Sequence, residues 1–315
     1  MIKIGNVSLD TSHPKGFALR MEEACMNMKY EYTCNQGFRS PEETDWFVRR
    51  YGLAGSVETT EEMVDKVDIG FIQSCNWEKH IDQAMPFIQS GKPVFIDKPI
   101  VGSIRDIQRI RALVADGAKI LGSSSARYAK EVQDFLNEPE ETRGQIVALH
   151  GTCGTDEFNY GIHVVEILSE LAGAKGVACQ YMGTTQTSPE YQCETYHITF
   201  ENGVQGTYQI MIGRQMRFHV TVMTTKGVRA FVIDSSKIYL AMLQEIYREL
   251  TKGKSKLAEL DTILNCTEIM LCGKKSRDCR NGEKVTVAEL TEEDKFDGYA
   301  FEEAYSANAS VIYKG

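Results

Sequence analysis

An acid, a base and a proline follow a strand-like stretch in the first third of the chain. Residues 93–96 form a short, mainly apolar run with β-branched and aromatic side chains, which is typical of a strand covered on both faces. Asp97, Lys98 and Pro99 come directly after it. A lysine at the carboxyl end of a parallel strand faces the crevice in which open α/β sheets bind ligands. Lys98 is therefore a candidate for binding or catalysis, and the alternative is a solvated loop lysine.

The turn after the first predicted strand is where a nucleotide-binding sheet would hold phosphates. Its sequence, SLDTSHPKG, places Ser8, Asp10 and His13 at the three positions where the dinucleotide fingerprint has glycine. Asp10 would add a negative charge beside a diphosphate, which predicts weak dinucleotide binding. Thr11, Ser12 and the start of the helix could still donate hydrogen bonds to a cofactor. For Asp10 and His13, substrate contacts, cofactor contacts and turn formation remain equally open.

The residues after the second predicted strand bear on which dinucleotide could bind. This position usually offers an acid to the adenosine ribose, whereas this chain has Asn35, Arg39 and Ser40. An arginine without the acid slightly favours a cofactor that carries a 2′-phosphate. The sequence therefore predicts NAD or NADP as the cofactor, with a weak preference for NADP.

Composition sets bounds on the function. The 315 residues are long for one core, so two domains are expected. A net charge of -9 and the lack of a basic stripe argue against binding to nucleic-acid phosphates. No apolar run reaches the length of a membrane span, and the first residues read as a strand rather than a signal peptide. We expect a cytoplasmic protein with no nucleic-acid or membrane partner.

Nine cysteines are scattered through predicted strands and helices without any C-x-x-C pair. In a chain with no signal peptide, this usage indicates reduced and mostly buried thiols. His150 and Cys153 come nearest to metal-ligand spacing, but a strand would place them on opposite faces. We expect no metal site.

The first part of the chain alternates strand-like and helix-like patterns at the interval of βαβ units. Ser40 and Glu43 have the spacing of a capping box, and Gly52 is expected to end the helix that they begin. This alternation predicts a doubly wound parallel sheet of the Rossmann type over residues 1–122.

The second part of the chain has a different pattern. Apolar and polar residues alternate around Asn202-Gly203, a strong hairpin signal, and again around Lys226-Gly227. Helical patterns flank these strands. The prediction for residues 123–315 is an α+β domain with a large, mainly antiparallel open sheet.

Two further segments contain polar residues at defined spacings. In CNWEKH, Asn76 and His80 follow the fourth predicted strand. In NYGIHVVEIL, Asn159 and His163 stand at the start of a predicted helix. Arg127, in SSSARYAKEV, precedes the first helix of the second domain.

These segments, taken in order with the Asp97-Lys98-Pro99 motif, resemble the Gfo/Idh/MocA family of sugar and polyol oxidoreductases. The family has a glutamate-lysine-proline motif, and an aspartate, a glycine and a histidine at alternate positions. Asp97 stands for the glutamate, and Asn159 replaces the aspartate. Lys98 and His163 are the specific matches, and the resemblance covers nearly the whole chain.

The resemblance implies that a secondary alcohol is oxidised while hydride passes to a nicotinamide. This chemistry needs a base for the hydroxyl proton and a positive group for the developing alkoxide. The resemblance implies that His163 carries the proton, that Lys98 stabilises the oxygen, and that Asn159 hydrogen-bonds the substrate or the imidazole. Arg127 is expected to contact the substrate, and Asn76 to lie in the crevice and contact the cofactor.

The remaining predictions concern the cofactor side and the assembly. His80 is expected to be structural or to line the crevice beside the cofactor, together with the turn residues and Arg39. We expect an NAD(P)-dependent oxidoreductase that acts on a sugar or polyol-like alcohol and forms a homo-oligomer. Two alternatives stay open. One is a non-catalytic protein that binds carbohydrate or nucleotide, and the other is a lyase acting on a sugar acid.

Overall fold

The computed structural model describes residues 1–314, except for the side chain of Thr187. The chain forms two compact units. Unit 1 contains Met1–Ser123, Leu243–Leu260 and the chain from Asp297 onwards, and unit 2 contains Ser124–Met242 and Asp261–Phe296. The domain boundaries expected from the sequence, residues 1–122 and 123–315, stay a prediction.

Unit 1 is built on a six-stranded parallel sheet. Its strands are β1 (Ile2–Val7), β2 (Met28–Cys34), β3 (Gly55–Ser56), β4 (Ile69–Ile72), β5 (Val94–Ile96) and β6 (Ile120–Gly122). They lie in the order β3-β2-β1-β4-β5-β6. Every pairing among them is parallel. The order reverses at β1, and this switch point is where open α/β sheets bind ligands. The predicted Rossmann sheet is confirmed.

Helices connect these strands. They are α1 (His13–Glu23), α2 (Pro41–Tyr51), α3 (Glu61–Val64), α4 (His80–Gln89) and α5 (Ile104–Ala115). The predicted capping box of α2 is present, since the side chains of Ser40 and Glu43 each accept a hydrogen bond from the other residue's backbone. Gly52 ends α2 in the left-handed conformation, as expected, because glycine adopts a positive φ without strain.

An aromatic cluster fixes α1 on the sheet. Phe17 of α1 lies 6.5 Å from Phe71 of β4 and 6.4 Å from Phe95 of β5, measured between ring centroids. All three rings are fully buried. Because α1 is held in this way, its first residue lies near the carboxyl ends of the central strands.

Unit 2 is built on a seven-stranded sheet. Its strands are β7 (Ile146–Thr155), β8 (Gly176–Ser188), β9 (Tyr191–Phe200), β10 (Gln205–Ile212), β11 (His219–Thr224), β12 (Gly227–Val232) and β13 (Val285–Thr286), in the order β12-β11-β7-β10-β9-β8-β13. Within the described residues, β7 and β10 pair in parallel and the other neighbours are antiparallel. The predicted hairpins at Asn202-Gly203 and Lys226-Gly227 join β9 to β10 and β11 to β12, so the mainly antiparallel sheet is confirmed.

The remaining helices of the chain follow in order. They are α6 (Lys130–Asn137), α7 (Glu140–Arg143), α8 (Gly161–Ala172), α9 (Ile238–Lys252), α10 (Leu260–Cys279) and α11 (Gly298–Ala307). Helix α8 packs closely on β7, because a side chain at Gly151 would come within 2.5 Å of Val164. This close approach fixes the first turn of α8 over the sheet.

Two further expectations concern thiols and membranes. The nine cysteines are free, and six of them are buried. Among residues 1–314, the structure contains no helix with the length and apolar character of a membrane span.

Candidate active site

The end of β5 carries Asp97 and Lys98. Asp97 is buried, and its Oδ1 accepts a hydrogen bond of 2.8 Å from the backbone N–H of Lys98. Its Oδ2 lies 2.7 Å from Nδ1 of His13, the first residue of α1. Lys98 is partly exposed, and the peptide bond between Lys98 and Pro99 is cis. One carboxylate therefore joins the strand end that bears Lys98 to the start of α1.

The neighbours of Asp97 determine its ionisation. Burial is the largest single effect and raises its pKa. The charge and hydrogen bond of His13, the charge of Lys98 and a hydrogen bond from Gln73 outweigh burial, so the pKa of Asp97 lies below its ordinary value. The ring of His13 also stacks on Phe17, with 5.7 Å between centroids. Asp97 is thus a buried, ionised acceptor with donors on both of its oxygens.

A chain of buried polar side chains crosses the carboxyl end of the sheet to reach Asp97. Gln73, which follows β4, donates from Nε2 to Asp97 Oδ2 at 3.3 Å. Its Oε1 accepts hydrogen bonds from Tyr30 Oη at 2.7 Å and from Asn6 Nδ2 at 3.0 Å. Asn6 Oδ1 accepts in turn from Thr33 Oγ1 at 2.7 Å. Buried networks whose members are all hydrogen-bonded rigidify a core, so Asp97 is fixed from the sheet side as well.

Asp10 does not face outward from the first turn. Its side chain is fully buried, and its carboxylate accepts hydrogen bonds from the backbone N–H groups of Cys75 at 3.0 Å and Phe38 at 3.3 Å. Burial, the largest effect, and the charge of Glu302 raise its pKa despite those hydrogen bonds. A side chain at Gly37 would come within 1.6 Å of Asp10 Oδ1, so only glycine lets the loop after β2 cross here. The carboxylate of Asp10 is therefore held inside the fold by two backbone donors, and the expectation that it weakens dinucleotide binding stays a prediction.

Arg39 is buried and bonded to the protein. Its Nε and Nη2 donate to the backbone oxygen of Asp10 at 3.1 and 2.7 Å. Its Nη1 donates to the backbone oxygen of Ser310 at 2.8 Å and lies 3.3 Å from Glu43 Oε1. The side-chain amide of Asn35 donates to the backbone oxygen of Arg39 at 2.8 Å. Arg39 thus braces the loop after β2, and these contacts do not support the expected contact to a 2′-phosphate.

The other residues of the first turn have defined positions. Ser8 is buried with a φ of 70°, and its hydroxyl lies 3.5 Å from Nε2 of Gln83. Thr11 Oγ1 accepts a hydrogen bond from the backbone N–H of His13 at 3.2 Å. Ser12 stands at the N-cap of α1, where its side chain makes no capping hydrogen bond. The cofactor roles expected of Ser8, Thr11 and Ser12 stay predictions.

The loop after β4 is tied to its surroundings by Asn76 and His80. Asn76 is fully buried, and its Nδ2 donates to Glu302 of α11 at 2.9 Å. His80 is fully buried, with Nδ1 3.0 Å from the oxygen of Ile100 and Nε2 2.9 Å from the oxygen of Ser74. Burial, the largest effect, lowers its pKa, although both carbonyl oxygens favour the charged ring. His80 therefore fixes the loops after β4 and β5.

Asp10, Cys75 and Glu302 bring their potential ligand atoms within 4.8 Å of one another, a cluster that spacing along the chain did not indicate. The carboxylates already have donors. Asp10 accepts the two backbone hydrogen bonds described above, and Glu302 contacts Lys79 at 2.7 Å and Asn76. Burial, the largest effect, and the charge of Asp10 raise the pKa of the Cys75 thiol. The cluster is a hydrogen-bonded group of polar side chains beside the first turn.

In unit 2, His163 lies in the first turn of α8. It is 5% exposed, and its Nδ1 is 2.5 Å from Oγ of Ser124. The Oγ of Ser124 also accepts a hydrogen bond from the backbone N–H of Ala126 at 3.1 Å. The backbone N–H of Ser124 donates to Glu166 at 2.8 Å. Ser124 is a residue that sequence reasoning missed, because 39 positions separate it from His163.

Arg127 is buried among acidic side chains. It is 2% exposed, with Nε 3.5 Å from Glu166 and Nη1 2.6 Å from Glu170. Burial, the largest effect, opposes its charge, but the neighbouring acids outweigh burial and raise the pKa of Arg127. Arg127 therefore joins the start of unit 2 to α8, and these contacts do not support its expected role in binding substrate.

Asn159 lies in the loop that precedes α8. Its Nδ2 is 3.4 Å from Asp156 Oδ2, and the other oxygen of Asp156 accepts the backbone N–H of Tyr160 at 3.1 Å. An amide whose nitrogen faces a carboxylate turns its oxygen the other way. Asp156 therefore orients the amide of Asn159, and no local pattern singled Asp156 out.

The structure thus places the predicted residues in two groups. In unit 1, Lys98, Asp97 and His13 form one connected group. In unit 2, His163 is joined to Ser124, and Asn159 to Asp156. The expectation that Lys98, His163, Asn159 and Asn76 surround one ligand stays a prediction.

Comparisons with known proteins agree with this architecture. Residues 35–125 match the family model GFO_IDH_MocA, described as an oxidoreductase family with an NAD-binding Rossmann fold. No curated protein matches the chain. The resemblance stated from the sequence is confirmed over the matched segment, which contains the Asp97-Lys98-Pro99 motif.

Solved structures share the fold of the chain. Scyllo-inositol dehydrogenase from Lactobacillus casei, with bound NAD(H) and scyllo-inositol, has a TM-score of 0.75 at 17% identity, covering 92% of this chain and 100% of that chain. Myo-inositol dehydrogenase from Lactobacillus casei, in complex with NAD(H) and myo-inositol, has a TM-score of 0.77 at 12% identity, covering 91% and 96%. An oxidoreductase from Thermotoga maritima has a TM-score of 0.75 at 15% identity, covering 92% and 99%. At these identities the likeness concerns the fold.

Proposed function

We propose that this chain, whose residues 35–125 match the NAD-binding Gfo/Idh/MocA oxidoreductases, is an NAD-dependent dehydrogenase acting on a polyol or sugar-like alcohol. The observation that carries the proposal is the position of Lys98. Lys98 belongs to the matched segment. It follows β5, which is separated only by β4 from the strand at which the order of the Rossmann sheet reverses, and Asp97 holds its backbone. A cation at this edge can stabilise an oxygen that becomes negative during the reaction.

In this proposal His163 is the base that accepts the hydroxyl proton of the alcohol. Its ring is held by Ser124 through Nδ1. Asn159 would hold the same alcohol through its amide oxygen, which points away from Asp156 because the amide nitrogen faces that carboxylate. Lys98 would stabilise the alkoxide. When bound, the nicotinamide accepts the hydride.

The first turn is compatible with a dinucleotide, although it has no glycine at the fingerprint positions. Helix α1 begins at the carboxyl end of β1, where a helix start can receive a phosphate. Asp10 is buried against Cys75 and Phe38, so its carboxylate is turned away from the surface of the turn. The side chain of Ser12 at the N-cap makes no capping hydrogen bond, so binding a phosphate there would not break one. The residues that would hold the cofactor are therefore Thr11, Ser12 and the first turn of α1.

We propose NAD rather than NADP, which revises the weak preference drawn from the sequence. The guanidinium of Arg39 already donates hydrogen bonds to the backbone oxygens of Asp10 and Ser310. The cavity at the carboxyl ends of β2 to β4 has a volume of about 300 Å³. Its charged lining residues are Glu61, Glu78, Lys79 and Asp82. An excess of acids disfavours a 2′-phosphate, because the like charges repel each other.

Cyclic polyols are the first substrate class to test, because two of the structurally similar dehydrogenases are complexes with inositols. The experiment incubates the protein with NAD or NADP and a panel of inositols and sugars, and follows the absorbance of reduced nicotinamide. We expect turnover with NAD. Lys98→Met should reduce that turnover by about a hundredfold or more, because one preorganised electrostatic contact contributes about 3 kcal/mol.

Two results would contradict the proposal. One is an absence of reduced nicotinamide with every alcohol and both cofactors. The other is unchanged turnover in Lys98→Met, with melting curves showing that both proteins are folded. An unsaturated product formed from a sugar acid, without change in the cofactor, would select the lyase alternative.

The assembly and the cellular location remain part of the proposal. Apolar side chains are exposed on neighbouring strands of the unit 2 sheet, including Val147 at 42%, Met223 at 48% and Val228 at 58%. Such a face supports a homo-oligomer. Light scattering of the purified protein tests this, and a monomeric mass would contradict it. The cytoplasmic location stays a prediction.

A further inference from the structure

We propose that His13 is a positioning residue for Lys98, acting through the carboxylate of Asp97. The inference deepens the proposed function and rests on it, since it concerns the lysine of the same site. His13 stands where a dinucleotide-binding turn has its third glycine, so this contact belongs to the present chain.

The first step of the argument is the geometry of Asp97. Its Oδ2 is engaged by His13 at 2.7 Å and by Gln73 at 3.3 Å, and its Oδ1 accepts the backbone N–H of Lys98 at 2.8 Å. A carboxylate with donors on both oxygens has a fixed plane. That plane fixes the backbone N–H of Lys98, and with it the direction in which the Lys98 side chain leaves the chain.

The second step concerns charge. His13 and Lys98 both stabilise the ionised carboxylate of Asp97. If His13 is removed, the remaining side-chain donor to Asp97 is the neutral amide of Gln73, at the longer distance of 3.3 Å. Lys98 then becomes the principal positive charge near the buried carboxylate of Asp97. The ammonium of Lys98 would then be drawn towards Asp97, because an ionised group in a buried site needs a partner. By pairing with Asp97, His13 limits the pull of that carboxylate on the ammonium of Lys98.

The third step concerns the residues that hold the two side-chain partners of Asp97 in place. The ring of His13 stacks on Phe17, whose own ring packs against β4 and β5. On the sheet side, Gln73 is held by Tyr30 and Asn6. Asp97 therefore lies between two rigid partners, and a displacement of about 1 Å at a catalytic group can cost about a hundredfold in rate.

The first experiment is a double-mutant cycle on steady-state turnover. His13→Leu should lower kcat by about 10- to 100-fold with a small change in KM, since Lys98 acts on the developing charge. His13→Gln, whose amide can donate to Asp97, should recover most of that loss. In the Lys98→Met background, His13→Leu should have no further effect on kcat. His219→Leu, at an exposed position on β11, is the matched control.

The second experiment does not depend on turnover. The acylation rate of the Lys98 amine by a soluble anhydride is measured by mass spectrometry, with the exposed Lys119 as internal reference. We expect the rate at Lys98 to change at least threefold in His13→Leu and to return towards the wild-type value in His13→Gln. The rate at Lys119 should stay the same.

The outcomes separate the two proposals. If wild-type protein oxidises no alcohol but labelling of Lys98 responds to His13→Leu, the proposed function fails and the positioning role stands. If labelling of Lys98 is unchanged, the positioning role is overturned whatever the turnover shows. It is also overturned if the losses from His13→Leu and Lys98→Met multiply, because His13 then acts independently of Lys98.

Discussion

The two units each hold a histidine at the first turn of a helix, and the partners of these histidines differ. In unit 1, Nδ1 of His13 meets the buried carboxylate of Asp97 at 2.7 Å. In unit 2, Nδ1 of His163 meets the hydroxyl of Ser124 at 2.5 Å. An ionised carboxylate can only accept a hydrogen bond, whereas a hydroxyl can donate or accept.

The difference between the two partners suits the two histidines to different roles. A ring that must gain and lose a proton needs a partner that suits both of its states, and Ser124 can adjust by rotating its hydroxyl. A ring that must stay fixed is best served by an ionised partner such as Asp97. We therefore assign proton transfer to His163 and positioning to His13.

The largest expected effect distinguishes the two histidines directly. His163→Ala should lower kcat by about a thousandfold, because a general acid or base contributes about 10² to 10⁴. The loss in His13→Leu should be at least tenfold smaller, and the turnover of both variants is measured on the same alcohol. Equal losses in the two variants, or the reverse order, would break the assignment.

A smaller effect is expected at Ser124. Ser124→Ala should lower kcat by about tenfold, the value of one ordinary hydrogen bond to the reacting group. Ser124→Thr keeps the hydroxyl and should remain close to the wild type. The pH dependence of kcat is recorded for all three proteins, since Ser124 is proposed to act through the ring of His163. A profile that coincides with that of the wild type in Ser124→Ala would show that the hydroxyl has no part in the proton step.

The effect with the least bearing on turnover concerns stability against pH. The pKa of Asp97 is depressed below its ordinary value of 3.8, so its contribution is fully present above that value and is lost as pH falls through the folded-state pKa. Asp97→Asn should therefore cost about 1 to 3 kcal/mol near neutral pH, and less below about pH 4. The cost of Ser124→Ala should not change over this range. Urea unfolding at several pH values measures both, and a constant cost in Asp97→Asn would argue against an ionised partner for His13.

Local signals were sufficient for most of the architecture. Ser40 and Glu43 are three positions apart and Asn202 and Gly203 are adjacent, and each pair predicted its cap or hairpin correctly. The later segments of unit 1 gave no such signal. Leu243–Leu260 and the chain from Asp297 are assigned to unit 1 by contacts with residues far away in the sequence.

The candidate site could be predicted only in part, for the same reason. Lys98 was identifiable because a short motif follows a strand. Gln73 was not, because a buried polar residue after an apolar strand looks like the beginning of a loop. The burial of Asp10 depends on Cys75 and Phe38, which are 65 and 28 positions away. Its partners could be found only from the folded chain.

The contact between Gly37 and Asp10 has a consequence for how this turn could be changed by mutation. A glycine at position 10 would remove the acceptor of two backbone N–H groups, and a glycine at position 13 would leave Asp97 without its nearest donor. Introducing these glycines one at a time would therefore produce single variants that are less stable than both the present protein and a fully redesigned turn. Asp10 and His13 each hold a different part of the fold, so engineering a glycine-rich turn here would require changes in the loop after β2 and at residue 97 in the same step.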